Sequence, residues 1–162
     1  MSISNLSELF EHTLQDVYFA ENHINKNLPT MIEKSSSTAL KSLFKDHHAE
    51  TKTQIERLKK VFEVIGKKPS GEECPAIEGI VKEAEELIEE IDDKETLDAA
   101  LIAAAQAVEH YEITRYGTLL TWAKLLGHDD AISLLRDNME EEKSADAKLS
   151  RLAEDKLNKK AA

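Results

Sequence analysis

Six acidic residues fall where a soluble helix ordinarily carries an apolar side chain. Glu21, Glu50, Glu109, Glu112, Glu142 and Asp146 each lie on or beside the apolar stripe of a long helical segment. Carboxylates are among the side chains least often buried without a partner. Counted at about 100° per residue, Glu142 falls on the stripe centred by Leu135 and Leu149, with Asp146 just beside it. Glu21 sits beside Val17 and Leu28, and Glu112 beside Leu101, Val108 and Leu119, with Glu109 a shoulder away. On the stripe of Leu40, Phe44, Leu58 and Ile65, His47 and Gln54 lie near the middle and Glu50 toward one side.

Depth agrees with direction. Glu21, Glu50 and Glu142 lie within about two residues of their segment midpoints, roughly 3 Å, and Glu109 and Glu112 bracket the third midpoint. In antiparallel pairs of similar length the midpoints meet, so the acids would share a small volume. Like charges at close range force protonation unless a counter-charge is present. Two divalent cations resolve the conflict, and carboxylates with at most one imidazole suit iron or manganese better than zinc or copper. The expectation is a metal pair held by Glu21, Glu50, Glu109, Glu112, Glu142 and Asp146, with His47 weighed as a ligand against a core role. The remaining histidines, His12, His23, His48, His110 and His128, read as surface or supporting residues. Tyr18, Tyr111 and Tyr116 fall near the same level, as packing residues or as hydrogen-bonding or radical partners.

A metal-free alternative uses the same residues. Arg115 also falls on the third stripe and would neutralise one acid, though not five. The chain would then be a non-catalytic helical interaction module, its acids satisfied by Arg115, water and protonation.

The elements that carry these residues are helical throughout. The first opens near Asn5, which has capping-box spacing to Glu8, and Pro29 is expected to kink or end it by about residue 33. Ser35-Ser36-Ser37-Thr38 forms a short connection to a helix over about 37–65, stopped by Gly66. Residues 67–74 read as loop, and Pro75 opens a short acidic amphipathic helix over about 75–91. Helices over about 94–126 and 129–157 follow, the last capped by Asp129 or Asp130. The run EELIEEIDD reads as a solvated acidic face. Nearly thirty residues separate the second and third long helices, enough to run back along the outside of the others. One long crossover of this kind is the ferritin-like connectivity of a four-helix bundle.

Bulk properties narrow the function classes. A chain of 162 residues with one continuous helical pattern is a single domain. Its net charge of -11 argues against nucleic acid, which needs a basic face, and against an anionic membrane surface. The lone Cys74 excludes an internal disulfide and fits a reducing compartment. The opening MSISNLSELFEHTL lacks the basic-then-apolar pattern of a signal peptide. The expectation is a cytoplasmic protein.

Four strings carry a family resemblance: VYFAENHINKNLP, FKDHHAETKTQIERLKKVFEVIG, AAQAVEHYEITRYGTL and LLRDNMEEEKSADAKL. In order and spacing they resemble the bacterial YciF/YciE family of stress-induced ferritin-like proteins, over nearly the whole chain. The resemblance implies a dimeric, cytoplasmic di-metal bundle linked to stress. It places the metal carboxylates at Glu21, Glu50, Glu109, Glu112 and Glu142, with Asp146 near them. The chain departs from the wider ferritin-like pattern, in which Glu-x-x-His supplies imidazole ligands. Three residues after Glu50 stands Thr53, and three after Glu142 stands Ala145, while Gln54 and Asp146 occupy the i+4 positions. His47 instead precedes Glu50 by three. The chemistry expected of such a metal pair, beyond what the resemblance implies, is reduction of peroxide or dioxygen, or oxidation of Fe(II).

Overall fold

The structure is a computed structural model that describes residues 3–162. Among them there is no strand. Five α-helices account for most of the chain: α1 Leu6–Lys34, α2 Thr38–Val64, α3 Pro75–Glu90, α4 Lys94–Leu126 and α5 Asp129–Leu152. A π-helical turn, Ala153–Leu157, joins α5 to a final short α6, Asn158–Ala161. No helix is long and apolar enough to cross a membrane.

Local chemistry explains the boundaries. Asn5 accepts from the Glu8 backbone N–H at 2.9 Å to start α1. Asp93 does the same for Thr96 at the head of α4, at 2.8 Å. Asp129 and Asp130 do not cap α5: His128 holds the N-cap position without a side-chain bond, and the two acids sit in the first turn. There their charge complements the positive end of the helix dipole. Gly127, at φ 75°, supplies the left-handed residue that ends α4. Pro29 does not end α1, which continues through it to Lys34. Because a proline has no N–H, the Asn25 carbonyl one turn earlier loses its helical donor. That carbonyl faces the His48 imidazole of α2 instead.

The long helices close a ring in which α1 packs on α2 and α4, and α5 packs on α2 and α4. Two apolar clusters fill it. One joins Phe10, Leu14 and Val17 of α1 to Leu58, Val61 and Phe62 of α2, Leu119 of α4 and Leu135 of α5. The other joins Ile24 and Leu28 to Leu40 and Phe44, Leu101 and Leu149, and is closed by Ile77 and Val81 of α3. The start of α1 and the start of α5 share one end with the finishing turns of α2 and α4, so α2 and α4 run parallel. The segment 65–93 returns the chain between them, passing α1 through Lys67–Glu11 at 3.0 Å, Ser70–Gln15 at 3.2 Å and Glu72–His12 at 3.1 Å.

The turn from α1 to α2 is held from α4. Asp98, 2% exposed, accepts from Ser36 N at 2.7 Å, Ser36 Oγ at 2.6 Å and Ser37 N at 2.9 Å. Replacing it strands two backbone donors in a tight turn. An Asp98→Ala chain is expected to lose about 2–3 kcal/mol, read as a fall of roughly 4–10 °C in melting temperature, with the polar residues between the two clusters undisturbed.

Candidate metal centre

Between the two apolar clusters every long helix turns polar at the same level. On α1 this is Glu21, between Val17 and Ile24; on α2 it is His47, Thr51 and Gln54, between Phe44 and Leu58. On α4 it is Glu109 and Glu112, and on α5 it is Asn138 and Glu142. Glu21, Gln54, Glu112, Asn138 and Glu142 are 0% exposed, Glu109 1% and His47 6%. The level follows from sequence, since each residue occupies the inward position of its own apolar period.

One ligand atom each from His47, Glu109, Glu112 and Glu142 lies within 4.8 Å of the other three. His47 Nε2 is 3.4 Å from Glu109 Oε1, and its Nδ1 is 3.9 Å from Glu142 Oε2 and 4.0 Å from Glu50 Oε2. Glu21 joins from α1, facing Glu112 and Glu142. Glu109 likewise faces Glu142 closely enough for the two to share a proton.

Two acids stand apart from this group. Glu50 is half-buried and lines a narrow cleft between α2 and α5 that leads past Asp46 and Lys148 to His47 and Glu109. Asp146 is not brought in: its Oδ1 accepts from Gln106 at 2.9 Å and its Oδ2 lies 3.2 Å from His110 Nε2. Arg115 does not neutralise the group either, because its guanidinium lies over the Tyr111 ring, 5.2 Å from the centroid.

Tyr116 and Gln54, which the sequence places at this level, and Asn138, which sequence reasoning left out, hold the acids in place. Tyr116 donates to Glu21 Oε1, and Gln54 Nε2 donates to Glu142 Oε1. Asn138 Nδ2 donates to Tyr116 Oη at 3.0 Å and to the Gln54 carbonyl at 3.3 Å. Asn138 was legible in principle: it sits one turn before Glu142 on the stripe of Leu135.

Burial governs the protonation of the group. It pushes Glu21, Glu109 and Glu112 well above the ordinary carboxylate range, and the neighbouring acids add to the shift. Burial also raises Glu142, to about 7. The His47 imidazole is pushed down to about 4, again by burial, so it faces the acids as a neutral ring with a lone pair to offer. Nearby carboxylates would counter that only if ionised, and burial disfavours their ionised forms.

The donor set fits a cation. Eight buried polar atoms of this group have no hydrogen-bond partner among the described residues: Glu21 Oε2, both His47 nitrogens, Gln54 Oε1, Glu109 Oε2, both Glu112 oxygens and Glu142 Oε2. Native interiors leave few such atoms, and each calls for an explanation. Five of the six residues present oxygen donors and the sixth an imidazole.

Comparison with known proteins bears on the whole chain. Residues 5–162 match the family described as a domain of unknown function (DUF892). The chain belongs to that family. Protein YciF of Escherichia coli (strain K12) is 44% identical over 162 residues, which cover 99% of this chain and 98% of YciF. The crystal structure of that E. coli stress protein superposes with a TM-score of 0.92 at 43% identity, over 97% of this chain and 99% of YciF. A second structural neighbour is YcfI from Rhodopseudomonas palustris, for which a structural role has been suggested. It superposes with a TM-score of 0.90 at 52% identity, over 92% of this chain and 95% of that one. The resemblance to the YciF family is thereby established, together with the all-helical fold.

The protonation pattern fixes how stability responds to pH. Glu21, Glu109, Glu112 and Glu142 are raised on folding, so their stabilising contribution is full below the unfolded value near 4.5 and is lost as pH rises through the folded values. His47 opposes this, its contribution being present above 6.5 and lost toward 4. Four acids outweigh one ring. In EDTA the chain is expected to melt at least about 5 °C higher at pH 5.5 than at pH 8, followed by circular dichroism. A flat or opposite trend would show that the acids are already neutralised in the metal-free protein.

Proposed function

We propose that this chain is a ferritin-like four-helix bundle that holds two iron or manganese ions in its polar layer and acts in the stress response. The observation that carries the reading is the convergence of eight unpartnered buried polar atoms from all four long helices. The long crossover between α2 and α4 adds support, since it is the connectivity of ferritin-like bundles. Glu21, Glu109, Glu112, Glu142 and His47 would hold the ions, with Glu50 reaching them from the cleft; Asp146 is engaged elsewhere. Oxygen donors with a single imidazole favour iron or manganese. Stress involvement follows the E. coli relative, described as a stress protein; a bacterial cytoplasmic location and a homodimer follow the family resemblance.

Bound in this layer, the metal pair would supply redox capacity toward peroxide or dioxygen, or toward further Fe(II). The protein's own part is preorganisation. Tyr116 and Gln54 each occupy one oxygen of a carboxylate and leave the other to the centre. The apolar clusters above and below keep bulk water away, and the cleft beside Glu50 admits small species only.

A second reading rests on the raised carboxyls. Glu109 with Glu142, and Glu21 with Glu112, can share protons and remain buried without metal. The chain would then be a non-catalytic helical module, in keeping with the role suggested for YcfI.

Metal content separates the two. Anaerobic loading with Fe(II) or Mn(II), then desalting and mass spectrometry, is expected to give about two ions per chain, and almost none in Glu109→Ala/Glu142→Ala. Loaded wild type should then accelerate peroxide loss or develop a ferric oxo-bridge absorbance. Negligible metal in both proteins would favour the second reading.

A further inference from the structure

The hydrogen bonds that reach Glu21 run in one direction, and that direction is imposed from the surface. Arg57 of α2 can only donate. Its Nη1 lies 3.0 Å from Asn138 Oδ1, which identifies that atom as the amide oxygen. The other end of the same amide, Nδ2, lies 3.3 Å from the Gln54 carbonyl, which can only accept. Both ends of Asn138 therefore agree on its orientation. The remaining Nδ2 proton goes to Tyr116 Oη at 3.0 Å. With its oxygen accepting there, the single Tyr116 hydroxyl proton is directed to Glu21 Oε1.

This string has no slack. Glu21, Tyr116 and Asn138 are each 0% exposed. Arg57 is held at its outer end by Glu141, with bonds of 2.7 and 2.9 Å. One oxygen of Glu21 is thus committed to a donor, while Oε2 is buried and without a partner.

We propose that Tyr116 is a positioning residue that makes Glu21 a one-oxygen metal ligand, its donor direction being set through Asn138 by Arg57. This rests on the metal-binding reading above. Without the Tyr116 proton, Oε1 is free to bind as well, and the carboxylate closes onto the metal with both oxygens. Coordination number rises by one, and the geometry loosens.

Cobalt(II) reports this directly, because its visible d–d bands weaken as coordination number increases. Wild type is expected to take up Co(II) with strong bands. Tyr116→Phe should still bind, with weaker bands and affinity lower by about tenfold. Asn138→Asp offers only acceptors, so it draws the Tyr116 proton away from Glu21 and reproduces the same spectrum with the tyrosine in place. The double variant should add nothing further. A wild-type spectrum and affinity in Tyr116→Phe overturn the inference; where that variant does not fold, Asn138→Asp decides in the same way. A wild type that takes up no Co(II) overturns the metal reading itself and this inference with it, before any variant is compared.

Discussion

Four carboxyl groups and one imidazole are packed at a single level with no basic side chain among them, and the rest of the molecule is arranged around that conflict. An ionised carboxylate in an apolar interior is unfavourable by several kcal/mol or more, and each neighbour of like sign adds to it. The protein does not relieve the conflict with arginine: Arg57 is turned toward Glu141, and Arg115 lies on Tyr111. Two ways out remain, protons or cations. Protons hold the acids in neutral form, as the raised carboxyls indicate. Cations would use the lone pairs that protons leave idle, on oxygens of five residues and one nitrogen of His47.

The division of the core follows from the same constraint. A continuous apolar interior would be more stable, yet the chain interrupts it on all four long helices at once. The two clusters must then supply cohesion independently, and each draws on all four helices. Leu58 and Leu135 clamp one side, Phe44 and Leu149 the other. Neutral hydrogen bonds from Gln54, Tyr116 and Asn138 cross the layer and orient the acids without discharging them.

Much of this was legible because helical period reports direction. Glu21, Glu109, Glu112 and Glu142 fall on inward positions in the sequence and are buried in the structure. Period is a coarse instrument near the edge of a stripe. Glu50 and Asp146 read as inward, yet one stands in a cleft and the other bonds to Gln106 and His110 on an outer flank. Arg115 read as inward too, and its long stem carries the charge away. Pro29 looks like a stop, but the carbonyl it orphans finds His48 across the α1–α2 contact, a long-range compensation that no local rule contains. The hydrogen-bond string through Asn138 is likewise a tertiary property, since its members come from α1, α2, α4 and α5.

The departure from Glu-x-x-His has a structural counterpart. On α5, the position three residues after Glu142 is Ala145, where the wider pattern would place an imidazole. Ala145 lines the cleft together with His47 and Glu109. A ring at that position would fill the passage, so the missing ligand and the open approach are one feature. On α2 the order is reversed, with His47 one turn before Glu50. The imidazole is then the deeper group, and the carboxylate stands toward solvent beside Lys148. The arrangement is lopsided: Tyr116 and apolar side chains back the layer toward α1 and α4, while the cleft between α2 and α5 brings Asp46, Glu50 and Lys148 beside His47 and Glu109. A small species entering this cleft passes between α2 and α5, by the half-buried Glu50 to the buried His47.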